Sequence, residues 1–413
     1  MKTNNRYILK IITITLSVFF CLYCIFYSGL SYDQTFHIEN GERRLKYLFS
    51  LGKYDYYDIL HLRYYPGLYD TISSLIASAF PRNFYYESYY LTNFLTGLLG
   101  IFGLKKVIKF FFGTTVSKIF FIISILSPLY FGHLAINPKD TIIATANFWV
   151  LYYVIKYLKS ETTSHRKDIA IKIGLFVGLG AGVRVLFLGT LIPIIFFLFV
   201  EIFFIKKISK NINLKVLLFH IFLILIISYL LLIICWPNIH KNIILEPFIV
   251  FFQSLNDTSQ GIQLSYFAGK FYETLNTPWN YIPLNLFYKM PVFYLIIFLL
   301  GVIHLKEINK CVYQKSNFFY YSCISLFLLC MPVAIAIFLK LRIHDGLRYF
   351  IYIIPLFNII PSIFLYYLYK EFGSIKNKIL SIILLPFLIV FMVKFVLITP
   401  YHYSYLNLFN DIF

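Results

Sequence analysis

Long apolar runs, separated by short polar or basic segments, dominate this sequence. They are continuous rather than alternating, which favours helices over strands, and a helix needs roughly 20 residues to cross a bilayer core. The pattern predicts an all-α, polytopic membrane protein that forms a single domain over residues 1–413. The first run has no clear cleavage site, so we expect an uncleaved helix. The expected spans, about eleven in number, are 9–30, 85–104, 112–132, 141–158, 169–185, 187–205, 214–235, 291–305, 318–339, 348–368 and 379–399.

The charge distribution predicts an orientation. The chain is 60% hydrophobic and 13% charged, with a net charge of +19. Its basic residues lie at the ends of apolar runs, which indicates the positive-inside rule rather than nucleic-acid binding. With the N-terminus placed in the cytoplasm, the inner segments contain 22 of the 37 basic residues and five of the 18 acidic residues. The inner side then has a net charge of +17 and the remainder +2, as expected for this orientation.

Two long segments fall on the predicted outer side. The first, 31–84, contains an apolar stretch at 68–80 that is too short to span, so it predicts a helix lying in the membrane interface. The second, 236–290, contains Trp236-Pro237 and Pro278-Trp279-Asn280-Tyr281-Ile282-Pro283. Aromatic residues combined with prolines favour a folded structure at the interface over a loose linker.

Asp33 is the first candidate for chemistry, because it directly follows the first predicted span. It could simply cap an interfacial helix. It could also act as a general base that accepts a proton from an attacking hydroxyl. His37 stands four residues later, so a helix would place both side chains on one face. That pair could contribute to a divalent-metal site, although two ligands are too few to define one.

Two short outer turns supply further candidates. The segment 131–140 contains His133, Asn137, Lys139 and Asp140. A structural explanation is available, because Asn-Pro ends one span and Asp140 can cap the next. Charged residues at membrane depth, however, often have functional roles. A lysine there could bind a phosphate. The segment 340–350 has three cations on the side where the positive-inside rule expects few. Guanidinium groups that bind a phosphate explain them, as would contact with anionic headgroups. Its candidate residues are Arg342, His344, Asp345 and Arg348, and Arg184 at the outer end of its own helix is a weaker candidate.

Acidic residues on the outer side, beside cations that could bind phosphate, indicate a group-transfer reaction. A lipid-linked donor would lose its phosphate to the cations, and an acceptor arriving from outside would give its proton to an acid. At these residues the chain resembles the GT-C class of membrane glycosyltransferases, in particular the branch of protein O-mannosyltransferases and of aminoarabinose and lipopolysaccharide sugar transferases. Asp33 matches the acidic residue of the first external loop in that class, and Asp140 matches a second acidic site after the third span. Gln34 stands where many members have an adjacent second acid. The other similar segments are 277–283 with Trp279 and Tyr281, 344–350, and 400–407.

The resemblance implies that a sugar is transferred, with inversion, from a polyprenyl-phosphate donor on the extracytoplasmic face of a bacterial inner membrane. Asp33 would be the base, and Arg342, Arg348 and Lys139 would hold the donor phosphate. The acceptor could be a lipid, a glycan or a protein. No cofactor is clearly implied, although a divalent metal is compatible with the acids. A transporter or flippase of lipid-linked saccharides is the alternative, but it predicts paired hydropathy halves that the sequence lacks. A non-catalytic scaffold would not explain outer acids beside outer cations.

Overall fold

The structure is a computed structural model that describes residues 2–54, 56–57, 60–255, 264–314, 317–343 and 345–411. His344, one of the candidates, therefore lies outside the described residues. The described part contains one antiparallel hairpin, β1 Leu264–Phe267 and β2 Lys270–Glu273, in which Leu264 pairs with Glu273. Its α-helices are α1 Lys2–Tyr27, α2 Tyr32–Phe49, α3 Leu68–Ala77, α4 Tyr85–Phe112, α5 Thr114–Ile125, α6 Pro128–Ile136, α7 Asp140–Lys159, α8 Thr163–Val183, α9 Phe187–Thr190, α10 Ile192–Val200, α11 Leu214–Ile234, α12 Glu246–Leu255, α13 Tyr281–Lys289, α14 Val292–Ile303, α15 Leu305–Ile308, α16 Phe318–Phe338, α17 Ile353–Phe357, α18 Ile359–Lys370 and α19 Ile375–Leu397.

All eleven predicted spans are helical, so the expectation of an all-α membrane protein is confirmed. Length and apolar composition alone identify five membrane-crossing helices in the described residues: α7, α11, α16, the α17–α18 pair and α19. The number rises to eight if each of three sharply bent helix pairs is counted as one span. The predicted span 112–132 is such a pair, because Pro128 starts α6 after a 67° bend from α5.

Two helices missing from that apolar set, α4 and α8, pack inside the bundle through small residues. A Cβ added to Gly100 of α4 would lie 2.5 Å from the Thr145 hydroxyl oxygen of α7. A Cβ added to Gly178 of α8 would lie 3.0 Å from the Ser228 Cα of α11. Glycine lets helix backbones approach closely where no hydrophobic force drives their association. The close approaches at Gly100 and Gly178 pack α4 against α7 and α8 against α11.

The first outer segment folds back onto the helix bundle. α2 turns by 84° from α1, and its polar composition excludes it as a span. The predicted interfacial helix is α3, which packs against α2, α4 and α8 and exposes Ile72, Leu75 and Ile76 on its other face. The Ser31 hydroxyl before α2 donates to the Ile136 carbonyl at the end of α6, 3.0 Å away. The start of α2 is thereby held beside the turn that leads into α7.

Candidate active site

Asp33, Asp140 and Arg348 meet at one end of the bundle. Asp33 lies in the first turn of α2 and Asp140 in the first turn of α7. Arg348 comes from the segment before α17, and its Nη2 donates to Asp33 Oδ2. Its Nε donates to Asp140 Oδ2 at 3.1 Å. One guanidinium therefore bridges two carboxylates from separate helices, an arrangement that its planar fork of donors favours.

The turn before α7 fixes the Asp140 carboxylate. Asn137 Oδ1 accepts hydrogen bonds from the backbone N–H groups of Lys139 at 3.2 Å and Asp140 at 2.9 Å. Asn137 Nδ2 donates back to Asp140 Oδ2 at 3.1 Å. The asparagine closes the turn in the way short polar side chains commonly do. The Asp140 side chain is only 4% exposed, so it contacts Arg348 and Asn137 rather than solvent.

Two cations and two tyrosine rings adjoin the carboxylates. Lys139 Nζ lies 5.4 Å from the centre of the Tyr65 ring and 5.9 Å from that of Tyr349. Arg184 Cζ lies 5.7 Å and 5.3 Å from the same two ring centres. These separations suit cation–π contact. Lys139 Nζ is also 3.8 Å from Asp33 Oδ2, whereas no carboxylate of the described residues forms an ion pair with Arg184.

The charge balance keeps Asp33 ionised. Burial disfavours its charged form, but the positive charges of Arg348 and Lys139 outweigh that effect and lower the pKa of Asp33 to about 2. Its side chain is 32% exposed, far more than that of Asp140. Asp33 is thus the carboxylate that an incoming molecule can reach.

The segment that carries Arg348 is held by a residue of the second outer segment. Tyr281, at the start of α13, accepts a hydrogen bond from the Gly346 N–H at 2.9 Å, and its hydroxyl also contacts Ser265 Oγ at 2.7 Å. Asp345 and Gly346 both have left-handed backbone angles, with φ of 57° and 65°. Asp345 Oδ2 lies 3.6 Å from Arg348 Nη1. Tyr281 therefore positions the turn from which Arg348 extends.

His37 lies on α2 but pairs away from Asp33. Its Nδ1 contacts Asp70 Oδ2 at 2.9 Å, and Asn40 donates to the same oxygen at 3.0 Å. Burial opposes ionisation of Asp70, yet His37 and Asn40 outweigh it and lower the pKa of that carboxyl. The expected shared role of Asp33 and His37 is therefore not supported by their contacts. Among the described residues, no group of three or more His, Cys, Asp or Glu side chains is placed to hold a metal ion.

A buried cation completes this network. Arg44 is fully buried, and its Nε donates to Asn40 Oδ1 at 3.1 Å. Its two terminal nitrogens donate to the backbone carbonyls of Leu62, Tyr65, Pro66 and Cys235. The loop that presents Tyr65 to the two cations is consequently tied to α2 and to the end of α11.

Among the other predicted residues, Arg342 and Trp279 lie apart from this cluster, whereas His133 lies close to it. Arg342 is exposed, and the contacts of the described residues give it no ion pair with Asp33 or Asp140, so its expected place beside them is not observed. Trp279 is 72% exposed. His133 of α6 is half-buried, lies within reach of the charges of Arg348 and Asp140, and has its ring centre 6.3 Å from that of Tyr403. The segment 400–407 thus packs against α6.

Three important residues escaped the sequence patterns. Tyr65 and Arg44 act through contacts with residues distant in sequence, which no local spacing indicates. Lys289 ends α13 and lies against Gly346, where a Cβ would come 3.2 Å from its Cε. Burial lowers the pKa of Lys289. The sequence did contain a signal for Lys289, because it is a cation on the predicted outer side, where the positive-inside rule expects few.

The arrangement of helices described above also occurs in solved structures of another protein. Two solved structures that share it are ArnT from Cupriavidus metallidurans in the apo state and ArnT from the same organism bound to undecaprenyl phosphate. Identity is 13% to each, with TM-scores of 0.61 and 0.59 over 88% and 87% of this chain. The chain spans 60% of the length of either ArnT chain. No protein-family model and no curated protein sequence matches the chain.

Proposed function

We propose that this integral membrane protein transfers a sugar from a polyprenyl-phosphate-linked donor to an acceptor on the extracytoplasmic face of a bacterial inner membrane. The observation that carries the proposal is the ion-paired set of Asp33, Arg348 and Asp140, with Lys139 and Arg184 beside it. A phosphate leaving group needs cations, and an attacking hydroxyl needs a base. All five side chains come from the end of the bundle that the charge distribution assigns to the outside.

The residues divide into two roles. Asp33 accepts the proton of the acceptor hydroxyl as its oxygen forms a bond to the anomeric carbon of the sugar. The bond from that carbon to the phosphate oxygen breaks, and polyprenyl phosphate leaves with the bonding electrons. Arg348, Lys139 and Arg184 bind the phosphate before and after this step, because guanidinium and ammonium groups stabilise its developing charge. A single displacement inverts the anomeric configuration.

The ion pair with Arg348 leads to an order of binding. A carboxylate with a pKa of about 2 is a poor proton acceptor. A donor phosphate that draws Arg348 away from Asp33 removes the main charge that lowers this pKa. Asp33 then becomes a better base only when the donor is present. The donor therefore binds before the acceptor attacks, and Asp140 keeps Arg348 oriented throughout.

The test is transfer in vitro by membranes that contain the protein, supplied with a panel of radiolabelled polyprenyl-phosphate sugars. Each reaction is extracted, and labelled products are identified by mass spectrometry, which also reveals whether the acceptor is a lipid, a glycan or a protein. Membranes with the Asp33→Asn variant are the control. We expect one donor to label an acceptor with the wild type alone. Incorporation from none of the donors would contradict the proposal and favour movement of lipid-linked saccharides instead.

A further inference from the structure

A cavity of about 280 Å³ opens between two helices at the end of the bundle opposite Asp33. α8 runs for 21 residues from this cavity to Arg184, so about 30 Å separates the cavity from the candidate active site. The charge distribution assigns this end to the cytoplasmic side. The lining comes from the first two turns of α8 and α11 and includes Thr163, Ser164, Lys167, Lys215, Phe219 and His220.

The cavity is strongly positive. Lys167 and Lys215 both line it, and the ion pairs of the described residues include neither of them. The nearby acid Glu161 pairs instead with Lys210, at 3.3 Å. The N-terminal ends of both helices also point here, and each exposes backbone N–H groups beyond the one that its capping side chain satisfies. Two lysines and two helix dipoles therefore favour an anion at one position.

His220 adds a directed polar group. It is 1% exposed, and its Nδ1 contacts the Tyr157 hydroxyl at 2.9 Å. When Tyr157 donates to Nδ1, the ring proton of His220 is on Nε2. Among the described residues Nε2 has no hydrogen-bond partner, although the side chain lines the cavity. Because His220 lines the cavity, its Nε2 can donate to a ligand or to water there.

The remaining wall is apolar and continues onto the lipid-facing side of α11. Phe219 lines the cavity and is exposed, as are Leu218 and Phe222 beside it. A ligand here has its charged group against the lysines and an apolar part along α11. A soluble phosphate would satisfy only the first of these surfaces. Basic pockets between membrane helices on the cytoplasmic side are known to suit anionic lipid headgroups.

We infer that the cavity between α8 and α11 binds the phosphate of an anionic phospholipid from the cytoplasmic leaflet. Lys167 and Lys215 contact the phosphate oxygens, His220 Nε2 donates to the headgroup, and an acyl chain lies along Phe219. The site is independent of the proposed sugar transfer, because none of its residues belongs to the Asp33 cluster.

The experiment is native mass spectrometry of the whole purified protein in detergent with phosphatidylglycerol, phosphatidylcholine or glycerol 3-phosphate added. The variant is Lys167→Gln/Lys215→Gln. Its matched control is Lys306→Gln/Lys310→Gln, which removes two exposed lysines of the same predicted side that do not line the cavity. The melting temperature of each protein is measured in the same detergent to establish folding.

We expect the wild type to retain phosphatidylglycerol in preference to phosphatidylcholine, and the cavity variant to bind it about tenfold more weakly. The control pair should bind like the wild type. Equal retention of phosphatidylcholine, or unchanged binding by a folded cavity variant, would overturn the site. Binding of glycerol 3-phosphate as tight as that of the lipid would overturn the lipid assignment in favour of a soluble phosphate. Activity assays play no part, so failure here leaves the proposed transfer untouched.

Discussion

Arg348 forms an ion pair with Asp33 although 315 residues separate them along the chain. The same guanidinium also donates to Asp140, so it links α2 to α7 in addition to the hydrogen bond between Ser31 and Ile136. In the proposed mechanism, Arg348 links the helices when no donor is bound and binds the donor phosphate when one is bound. The predictions below test the parts of this arrangement separately.

Asp33→Asn should reduce sugar transfer by about 10²–10⁴-fold, the usual contribution of a general base. The amide keeps the size of the side chain but accepts no proton. Initial transfer rates measure the effect, and melting temperature verifies folding. Glu39→Gln is the matched control on α2, because Glu39 pairs with Arg43 and lies outside the cluster. Wild-type rates in Asp33→Asn would eliminate Asp33 as the base.

Arg348→Met should lower the melting temperature, because it removes the guanidinium that donates to the buried Asp140 carboxylate, and breaking a buried ion pair costs about 3–5 kcal/mol. Arg348→Met/Asp140→Asn should recover most of that stability, since the uncompensated charge is gone. The double variant should still transfer no sugar, because it lacks the Arg348 guanidinium that binds the donor phosphate. A double variant no more stable than Arg348→Met would mean that Asp140 is not the group left unpaired.

The ion pair of Asp33 with Arg348 should make the stability of the folded protein depend on pH in the acidic range. Its pKa is lowered from 3.8 to about 2 in the folded protein, so its stabilising effect is fully present above about pH 4. That effect is lost as the pH falls from 4 towards 2. Without donor, the melting temperatures of the wild type and Asp33→Asn should therefore differ at pH 5 and converge towards pH 2. A constant difference across this interval would contradict the lowered pKa.

Lys139→Gln and Arg184→Gln should each weaken binding of undecaprenyl phosphate about tenfold, the loss expected when a charged hydrogen bond to phosphate is removed. Arg342→Gln should change binding little, because Arg342 is exposed and outside the cluster. Binding to purified protein can be measured by microscale thermophoresis. A larger loss in Arg342→Gln than in the other two would restore the role that the sequence motif suggested for Arg342.

The sequence predicted the helices because each apolar run of membrane length has few structural alternatives. It also selected Asp33, Lys139, Asp140 and Arg348, because charges are costly at membrane depth and stand out in apolar surroundings. Contacts that depend on tertiary packing were not predictable in this way. Spacing placed His37 on the same helix as Asp33, but the buried Asp70 of α3 is its partner. Nothing local marks Tyr65 as the ring beside two cations.

The many carbonyl contacts of Arg44 have an evolutionary consequence. Arg44 holds the loop before α3 through backbone oxygens of Leu62, Tyr65 and Pro66, and every amino acid supplies such an oxygen. The side chains of Leu62 and Tyr65 can therefore be exchanged without loss of the loop's anchorage, whereas Gly67 must stay a glycine, because a Cβ there would lie 2.6 Å from Arg44 Cζ. A loop whose path is fixed through backbone atoms can change many of its side chains while it keeps its shape, and Arg44 gives the loop beside the candidate site that freedom.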